Sequence, residues 1–328
     1  MKNLRIGAVL GALLMVVAAC SSTPAAKEGG TLIVALPGDI VRTDTALTDD
    51  SNSSYVIQQV VEGLVGLEPG STSKVVPVLA ESYEMSADGL TYTFKLRSGI
   101  KFHDGTDFNA DAVVFNYNRF INIPTELQDY TYYIGAVFGG YGADSNLESA
   151  TAVDASTVAI KLKKPSSNFI LTQTLPVFGI QSPTALALGK GDNTESDVTK
   201  ITGAQGGAGA MIGTGPFKFV KWTVGDSVEI EKNADYWDKD KVAYVDAIVF
   251  KAVAEEAQRL NGLAAGEIDL AQTIAPVDAA TIKANEKLQL IDRGSSFNTF
   301  QISMNHSYAP ISNAKIREAI AYAIDYEY

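Results

Sequence analysis

The stretch KFHDGTDFNADAVVFNYNR, residues 101–119, combines a turn, a helix start and an apolar helix face. Asp104-Gly105 is a typical turn pair, and Asn109 is a favourable N-cap residue for a helix. The helix that follows is predicted to line one face with apolar residues at helical spacing: Val113, Val114, Tyr117, Phe120 and Ile121. His103 precedes Asp104, so the stretch also has to be considered as half of a catalytic or metal site.

The residues before this stretch alternate between apolar and polar side chains, which indicates a half-buried strand. Tyr92, Phe94 and Leu96 are the apolar members, and a turn at residues 86–89 precedes them. Similar runs predict strands at residues 31–36, 158–162, 218–220, 228–231, 248–252, 268–271 and 300–304. Helices are predicted at 55–65, with Ser53 or Ser54 as the cap, at 254–265 and at 316–324. This mixture predicts an α/β or α+β fold with two lobes.

The segment 189–215 is rich in glycine and small polar residues, and it predicts a long surface loop. Its glycines resemble a phosphate-binding loop only superficially, because no Gly-Lys-Ser/Thr follows them.

The composition is that of a folded protein with enough chain for two domains. The sequence has 328 residues and a formal net charge of −12. Clustered lysines and arginines are missing from the sequence, so we expect no nucleic-acid partner.

The N-terminus has the pattern of a secretory signal. Two basic residues precede an apolar run that is shorter than a membrane-spanning helix, and residues 1–19 are predicted to be a signal peptide. The run ends in Val-Ala-Ala-Cys, which resembles the bacterial lipobox, so Cys20 is the predicted lipidation site and 20–30 a tether. The alternative is an ordinary secretory signal with a chance cysteine. Because Cys20 is the sequence's one cysteine, an internal disulfide and a cysteine-based zinc site are excluded.

Five separated blocks resemble the extracytoplasmic solute-binding proteins of family 5, the peptide and nickel receptors of ABC importers. The blocks are residues 60–70, 75–119, 213–237, 245–271 and 302–325, and they run in the family's order. The resemblance implies an α/β, two-lobed periplasmic-binding-protein-like fold of type II, similar to cluster C. Lobe I would span 31–247 with an inserted subdomain at 46–165, and lobe II would start at 248. Family members continue beyond the AIAYAID helix, so the resemblance implies a C-terminally truncated chain with an incomplete second lobe.

The resemblance implies a monomeric receptor, not an enzyme, that captures peptides outside the membrane by hinge closure and delivers them to an ABC permease. We expect it to be anchored by its lipid to the outer face of the cytoplasmic membrane, or to lie on the periplasmic side, and to need no cofactor. Two alternatives stay open: the same role for a nickel chelate or an oligosaccharide, and a surface receptor or adhesion lipoprotein without transport.

Candidate ligand contacts follow from polar and aromatic segments at the positions where the resemblance places the cleft. They are Thr48, Asp49, Asp50, Tyr132, Tyr133, Gln181, Ser182, Met304 and Asn305. A solvated turn is the alternative for the first three, and core packing is the alternative for the tyrosines.

The two histidines are weak candidates for chemistry. His306 has no second histidine nearby to share a metal, and His103 is expected to order its own turn by hydrogen bonding. A Ser–His–Asp set around His103 stays open from the sequence alone, but no G-x-S-x-G elbow is present.

Overall fold

The structure is a computed structural model, and it describes residues 28–291 and 302–325. The predicted signal peptide, Cys20 and most of the predicted tether lie outside the described residues. The chain divides into two units, one up to Gln289 and one from Leu290, which are described separately.

The strands are, in chain order, β1 (Thr31–Leu36), β2 (Val65–Leu67), β3 (Val75–Pro77), β4 (Ala80–Met85), β5 (Thr91–Leu96), β6 (Leu147–Asp154), β7 (Thr157–Leu162), β8 (Phe217–Thr223), β9 (Ser227–Lys232), β10 (Ala247–Ala252) and β11 (Leu270–Ala271). The α-helices are α1 (Ser51–Val60), α2 (Ala110–Ile121), α3 (Tyr132–Phe138), α4 (Phe169–Thr172), α5 (Pro183–Leu188), α6 (Glu256–Ala265), α7 (Ala279–Ala284) and α8 (Ala314–Tyr322). Within the described ranges, no helix has the length and apolar character that crossing a bilayer requires.

The first sheet has five strands in the order β11-β1-β10-β9-β8. β1 runs parallel to both β10 and β11, and its pairing with β10 extends from Thr31↔Ala247 to Leu36↔Ala252. The predicted lobe boundary between residues 247 and 248 therefore falls within a central strand. Because β10 and β11 flank β1, the sheet that begins with β1 continues to Ala271.

The second sheet is antiparallel, in the order β4-β5-β7-β6, and α2 packs against it. The predicted alternation is confirmed: Tyr92, Phe94 and Leu96 are buried, and Phe94 lies opposite the buried Val158. Full burial of side chains of this size contributes about 1.5–3 kcal/mol each to folding. The predicted cap is also confirmed, since Asn109 Oδ1 accepts a hydrogen bond from Ala112 N at 3.0 Å.

The first helix differs from the prediction at both ends. It begins at Ser51, and its cap is Asp50, whose Oδ1 accepts from Ser53 N at 2.8 Å. It ends at Val60, so Leu64 belongs to the core without belonging to the helix. Asp50 is a more favourable cap than Ser53 or Ser54, because its carboxylate also interacts favourably with the positive end of the helix dipole.

The prediction of a surface loop at 189–215 is wrong for much of its length. Gly203, Ala204 and Met211 are buried, and Gly203 N donates to Gly189 O at 3.0 Å. A Cβ atom at Gly189 would lie 2.8 Å from Ala208 O. The glycines are present because two stretches of backbone pack directly against each other, and not because the segment is solvated.

The second unit contains α8, which begins after Asn313, whose Oδ1 accepts from Lys315 N at 2.9 Å. The predicted strand at 300–304 is not observed in its described part, 302–304.

Candidate functional site

A cleft of about 190 Å³ opens beside the first half of α1 and is called the α1 cleft below. It is lined by Thr45, Thr48, Ser51, Ser54, Tyr55, Ile57, Gln58, Tyr133, Leu175, Pro176 and Val177. Within this described lining there is no ionisable Asp, Glu, His, Lys or Arg side chain. Neutral hydroxyl, phenol and amide groups thus face an apolar wall.

The α1 cleft exists because α1 has two different faces. Ser51, Ser54 and Gln58 recur at helical spacing and line the cleft. Val56 and Val60 recur on the opposite face and are buried against the five-stranded sheet. Ser51, Ser54 and Gln58 are not among the predicted contacts, because the predicted helix starts four residues too late. The signal was present as polar residues at i, i+3 and i+7.

The polar groups in the cleft fall into two sets. Thr48 Oγ1 donates to Asp44 O at 2.7 Å, and Ser54 Oγ donates to Asp50 O at 2.8 Å, so these hydroxyl protons are occupied. The side chains of Ser51, Tyr55, Gln58 and Tyr133 form no hydrogen bond with any described residue. These four can therefore exchange hydrogen bonds with a bound molecule.

A buried ion pair lies next in sequence to Thr45, which lines the cleft. Arg119 Nη2 lies 2.7 Å from Asp44 Oδ2, and the two side chains are 4% and 2% exposed. Gln181 Nε2 donates to Asp44 Oδ1 and to Thr45 Oγ1, both at 3.2 Å. Because Thr45 lines the cleft and Gln181 does not, Gln181 acts on the cleft through Thr45.

The structure brings together two of the predicted contacts, Thr48 and Tyr133, both in the lining of the α1 cleft. Asp50 is the helix cap, while Asp49 and Tyr132 are exposed next to lining residues. Of the other predicted contacts, Gln181 and Ser182 lie outside this lining, and Met304 and Asn305 belong to the second unit.

Ser182 is buried and serves as the N-cap of α5, accepting from Ala185 N at 3.2 Å. Its hydroxyl donates to Asp104 Oδ2 at 2.5 Å. Met304 and Asn305 belong to the second unit, where Asn305 Oδ1 accepts from Ser307 N at 2.9 Å.

His103 and Asp104 have separate partners. His103 N donates to Gly213 O at 2.9 Å, and His103 Nε2 lies 3.0 Å from Gly215 O. Burial lowers the pKa of His103 to about 4, so at neutral pH the ring is uncharged and Nε2–H donates to the Gly215 carbonyl. The expectation that His103 orders its own turn is corrected: it fastens that turn to the backbone at 213–215.

Asp104 orders the turn instead. Its Oδ1 accepts from the backbone and hydroxyl of Thr106 at 3.0 and 2.6 Å, and its Oδ2 accepts from Ser182. Burial raises the pKa of Asp104, but these hydrogen bonds outweigh burial and leave it below the usual value. His103, Asp104 and Ser182 thus form a structural junction, in which the Ser182 hydroxyl is buried and donates to Asp104.

Glu62 is a half-buried carboxylate that is not among the predicted contacts. It accepts from Tyr236 OH at 2.7 Å, and from Trp237 Nε1 and Thr214 Oγ1 at 2.8 Å each. Burial raises the pKa of Glu62, and the three hydrogen bonds partly offset that rise. Two of the sequence blocks quoted above, 60–70 and 213–237, meet at this carboxylate.

In the part of the chain that the structure describes, no three His, Cys, Asp or Glu side chains are grouped so that they could hold a metal ion. His306 is exposed in the second unit.

Comparisons with known proteins agree with this architecture. The family described as bacterial extracellular solute-binding proteins, family 5 Middle, matches residues 74–328. The glutathione-binding protein GsiB of Escherichia coli O1:K1 / APEC is 35% identical over 316 residues, which are 96% of this chain and 55% of GsiB. The chain thus spans about half the length of the curated relatives that it matches.

Two solved structures resemble the fold. The periplasmic binding protein DppA of Helicobacter pylori, in complex with the peptide STSA, has a TM-score of 0.66 and 26% identity, over 79% of this chain and 50% of DppA. NikZ of Campylobacter jejuni, in complex with Ni(L-His), has a TM-score of 0.68 and 26% identity, over 90% of this chain and 54% of NikZ. The fold is therefore the mixed α/β fold of two-lobed periplasmic binding proteins, and the chain belongs to family 5 of the bacterial extracellular solute-binding proteins.

Proposed function

We propose that this chain is the receptor of an ABC importer and that the α1 cleft is the part of the first lobe that contacts a peptide-class solute. The observation that carries the proposal is the set of unpaired neutral groups, from Ser51, Tyr55, Gln58 and Tyr133, in one cleft of about 190 Å³. The relatives support it: GsiB is named for glutathione, which is a tripeptide, and DppA was solved with a peptide.

The chemistry of the cleft suits an amide-rich ligand. Gln58 offers both a donor and an acceptor, which is what a peptide group requires, and Ser51 and Tyr133 offer hydroxyls of either role. The wall formed by Ile57, Leu175 and Val177 can cover aliphatic carbons. Hydrogen bonds to the main chain of a peptide give affinity, while pockets for its side chains give specificity.

A nickel chelate is the second candidate, because NikZ binds Ni(L-His). The α1 cleft favours it less, since the lining supplies no cation for the carboxylates of such a chelate. Chemical catalysis is not part of the proposal, because a receptor needs only to bind and close.

Delivery completes the proposed role. Solute capture outside the membrane would be followed by hinge closure and by recognition of the closed state by the permease. Lipidation of Cys20 would hold the monomeric receptor at the membrane. Asp49, Asp50, Tyr132, Gln181, Ser182, Met304 and Asn305 stay predicted contacts or supports of the ligand.

The test is titration of the 328-residue protein with glutathione, a pool of tri- and tetrapeptides, Ni(L-His)₂ and a maltooligosaccharide, followed by ¹H–¹⁵N NMR. We expect a peptide to shift the amide signals of Ser51, Ser54 and Gln58. The Gln58→Leu variant should weaken that binding, because it removes the donor and acceptor while keeping the side-chain size.

The matched control is Tyr244→Ala set against Tyr133→Ala, since Tyr244 is 66% exposed and lies outside the cleft. Tyr244→Ala should bind like the parent, and Tyr133→Ala should bind more weakly. Shifts at the cleft produced by the nickel complex or the sugar, with none from any peptide, would replace the peptide assignment by that solute. Shifts that avoid the cleft for all four probes would refute the site.

A further inference from the structure

Arg259 joins two segments of chain at one edge of the five-stranded sheet. The side chain is 3% exposed, and Nη1 donates to Val253 O at 2.7 Å and to Ala254 O at 2.8 Å. Nη2 donates to Thr273 O at 2.9 Å. Because β10 and β11 both run parallel to β1, residues 253 and 273 leave the sheet at the same edge. One guanidinium group thus connects the segments that follow β10 and β11.

The exit after β11 has an unfavourable backbone conformation. Thr273 has φ of +57°, in the left-handed region that β-branched residues avoid. Such a conformation persists only where surrounding contacts determine it. Here Arg259 holds the carbonyl of Thr273, and Gln272 N donates to Ala35 O at 3.0 Å.

A second side chain of α6 holds the next peptide group. Glu256 Oε1 accepts a hydrogen bond from Ala275 N. Arg259 and Glu256 are three residues apart on the helix, so they lie on one face. Together they attach the residues on both sides of position 274 to α6.

Beyond this point the last residues of the first unit, 276–289, bury few apolar side chains. Among the described residues 276–289, Ile282 is the buried apolar side chain, at 5% exposure. Val277 is 82% exposed. The segment is therefore held mainly where Arg259 and Glu256 grip it.

We propose that Arg259 and Glu256 form a clamp that makes residues 272–275 a pivot, anchored to the sheet, about which the following chain moves. Its role in closing on a solute rests on the proposed receptor function; the clamp itself does not. Arg259 and Glu256 are positioning residues, since they act through the backbone at 272–275 and line no part of the α1 cleft.

The chain offers a matched control for Arg259. Arg317 of α8 uses Nη1 in the same way, donating to Ile311 O at 2.8 Å and Ser312 O at 2.9 Å. These acceptors stand six and five residues before the arginine, as Val253 and Ala254 do for Arg259. The bond that distinguishes Arg259 is the one to Thr273.

The test is residue-resolved hydrogen exchange of the 328-residue protein and its Arg259→Lys, Glu256→Ala and Arg317→Lys variants. Lysine keeps the charge but cannot span three carbonyls. We expect the Gln272 and Ala275 amides to exchange about ten-fold faster in Arg259→Lys, as loss of one charged hydrogen bond implies. Glu256→Ala should accelerate Ala275 alone, and Arg317→Lys should leave both amides unchanged. The amides of Val34 and Phe250 report whether the sheet is intact.

Movement about the pivot is measured by spin labels at Lys221 and Lys283, both exposed, in a Cys20→Ser background. The distance distribution should broaden in Arg259→Lys and keep its width in Arg317→Lys. Unchanged exchange at Gln272 and Ala275, equal acceleration at Val34 and Phe250, or an unchanged distribution would each overturn the proposal. Neither readout uses a solute, so a failure of the receptor function shows separately, as the absence of any solute effect in the titrations.

Discussion

Replacement of Asp44 by Asn removes one charge from the interior and keeps the shape of the side chain. In the native chain, Asp44 Oδ2 accepts from Arg119 at 2.7 Å, and Asp44 Oδ1 accepts from Ala46 N and Gln181 Nε2. Arg119 is 4% exposed, and its Nε and Nη1 have no hydrogen-bond partner among the described residues. Asp44→Asn would leave this guanidinium buried without its counter-charge.

The expected loss of folding free energy is about 3–5 kcal/mol, the cost of leaving one charge of a buried pair uncompensated. That is a large part of the roughly 5–15 kcal/mol that stabilises a typical domain. The assay is urea unfolding followed by circular dichroism, with linear extrapolation to water.

The matched control is Lys101→Gln, which breaks a pair of similar length in solvent. Lys101 Nζ lies 2.6 Å from Asp107 Oδ1, with side chains 62% and 73% exposed, so the loss should stay within about 1 kcal/mol. The double variant Asp44→Asn/Arg119→Met should regain part of the stability, because it removes the orphaned charge. A loss in Asp44→Asn no larger than that in Lys101→Gln would refute the reasoning that burial sets the cost.

Three further predictions test other parts of the fold. Burial lowers the pKa of His103 from 6.5 to about 4. Between these two pH values, His103 is protonated in the unfolded chain and neutral in the folded chain. The contribution of His103 to the free energy of unfolding should be full above pH 6.5 and fall by up to about 3 kcal/mol towards pH 4. Urea unfolding at several pH values should show a weaker dependence of that free energy on pH in His103→Gln. The same dependence in both proteins would contradict the lowered pKa. Gly215→Ala should destabilise by about 1–3 kcal/mol, because the new Cβ would lie 2.8 Å from Gln59 O and Val60 O; a melting temperature equal to the parent's would count against that close approach. Asn109→Ala should cost about 1 kcal/mol through loss of the α2 cap, and near-neutral unfolding data would show that the cap contributes little.

The sequence blocks that carry the family resemblance turn out to contact one another. Glu62, in the first block, is held by Thr214, Tyr236 and Trp237, which belong to a block more than 150 residues later. His103 binds the backbone of that same later block at Gly213 and Gly215. Glu62 and His103 thus join parts of one fold, and neither lines the α1 cleft. The blocks identify the family because they build its fold. They do not identify the solute, because these contacts lie outside the α1 cleft.

Local physics decided what the sequence could predict. The alternation of Tyr92, Phe94 and Leu96, the turn at Asp104-Gly105 and the cap at Asn109 depend on neighbours within a few residues, and all three are observed. The late start assigned to α1 shows the limit, because Asp50 and the two predicted serines are all acceptable caps by sequence alone. That error concealed the polar face that lines the cleft.

Only the tertiary structure decided which groups meet across long stretches of chain. Arg119 lies on α2, where a basic residue in the last turn of a helix would ordinarily be solvated, yet it is buried because Asp44, 75 residues earlier, supplies its counter-charge. By sequence alone, His103 could be half of an active site. In the folded chain it hydrogen-bonds to Gly215 O, 112 residues away in sequence, and so holds two segments together. The sequence by itself determined those strands and helices that depend on near neighbours, and its ordered blocks identified the family. Only the folded chain shows the cleft, the buried ion pair and the hydrogen bond from Arg259 to Thr273 O. The burial of these groups and the distances between them depend on residues far away in sequence.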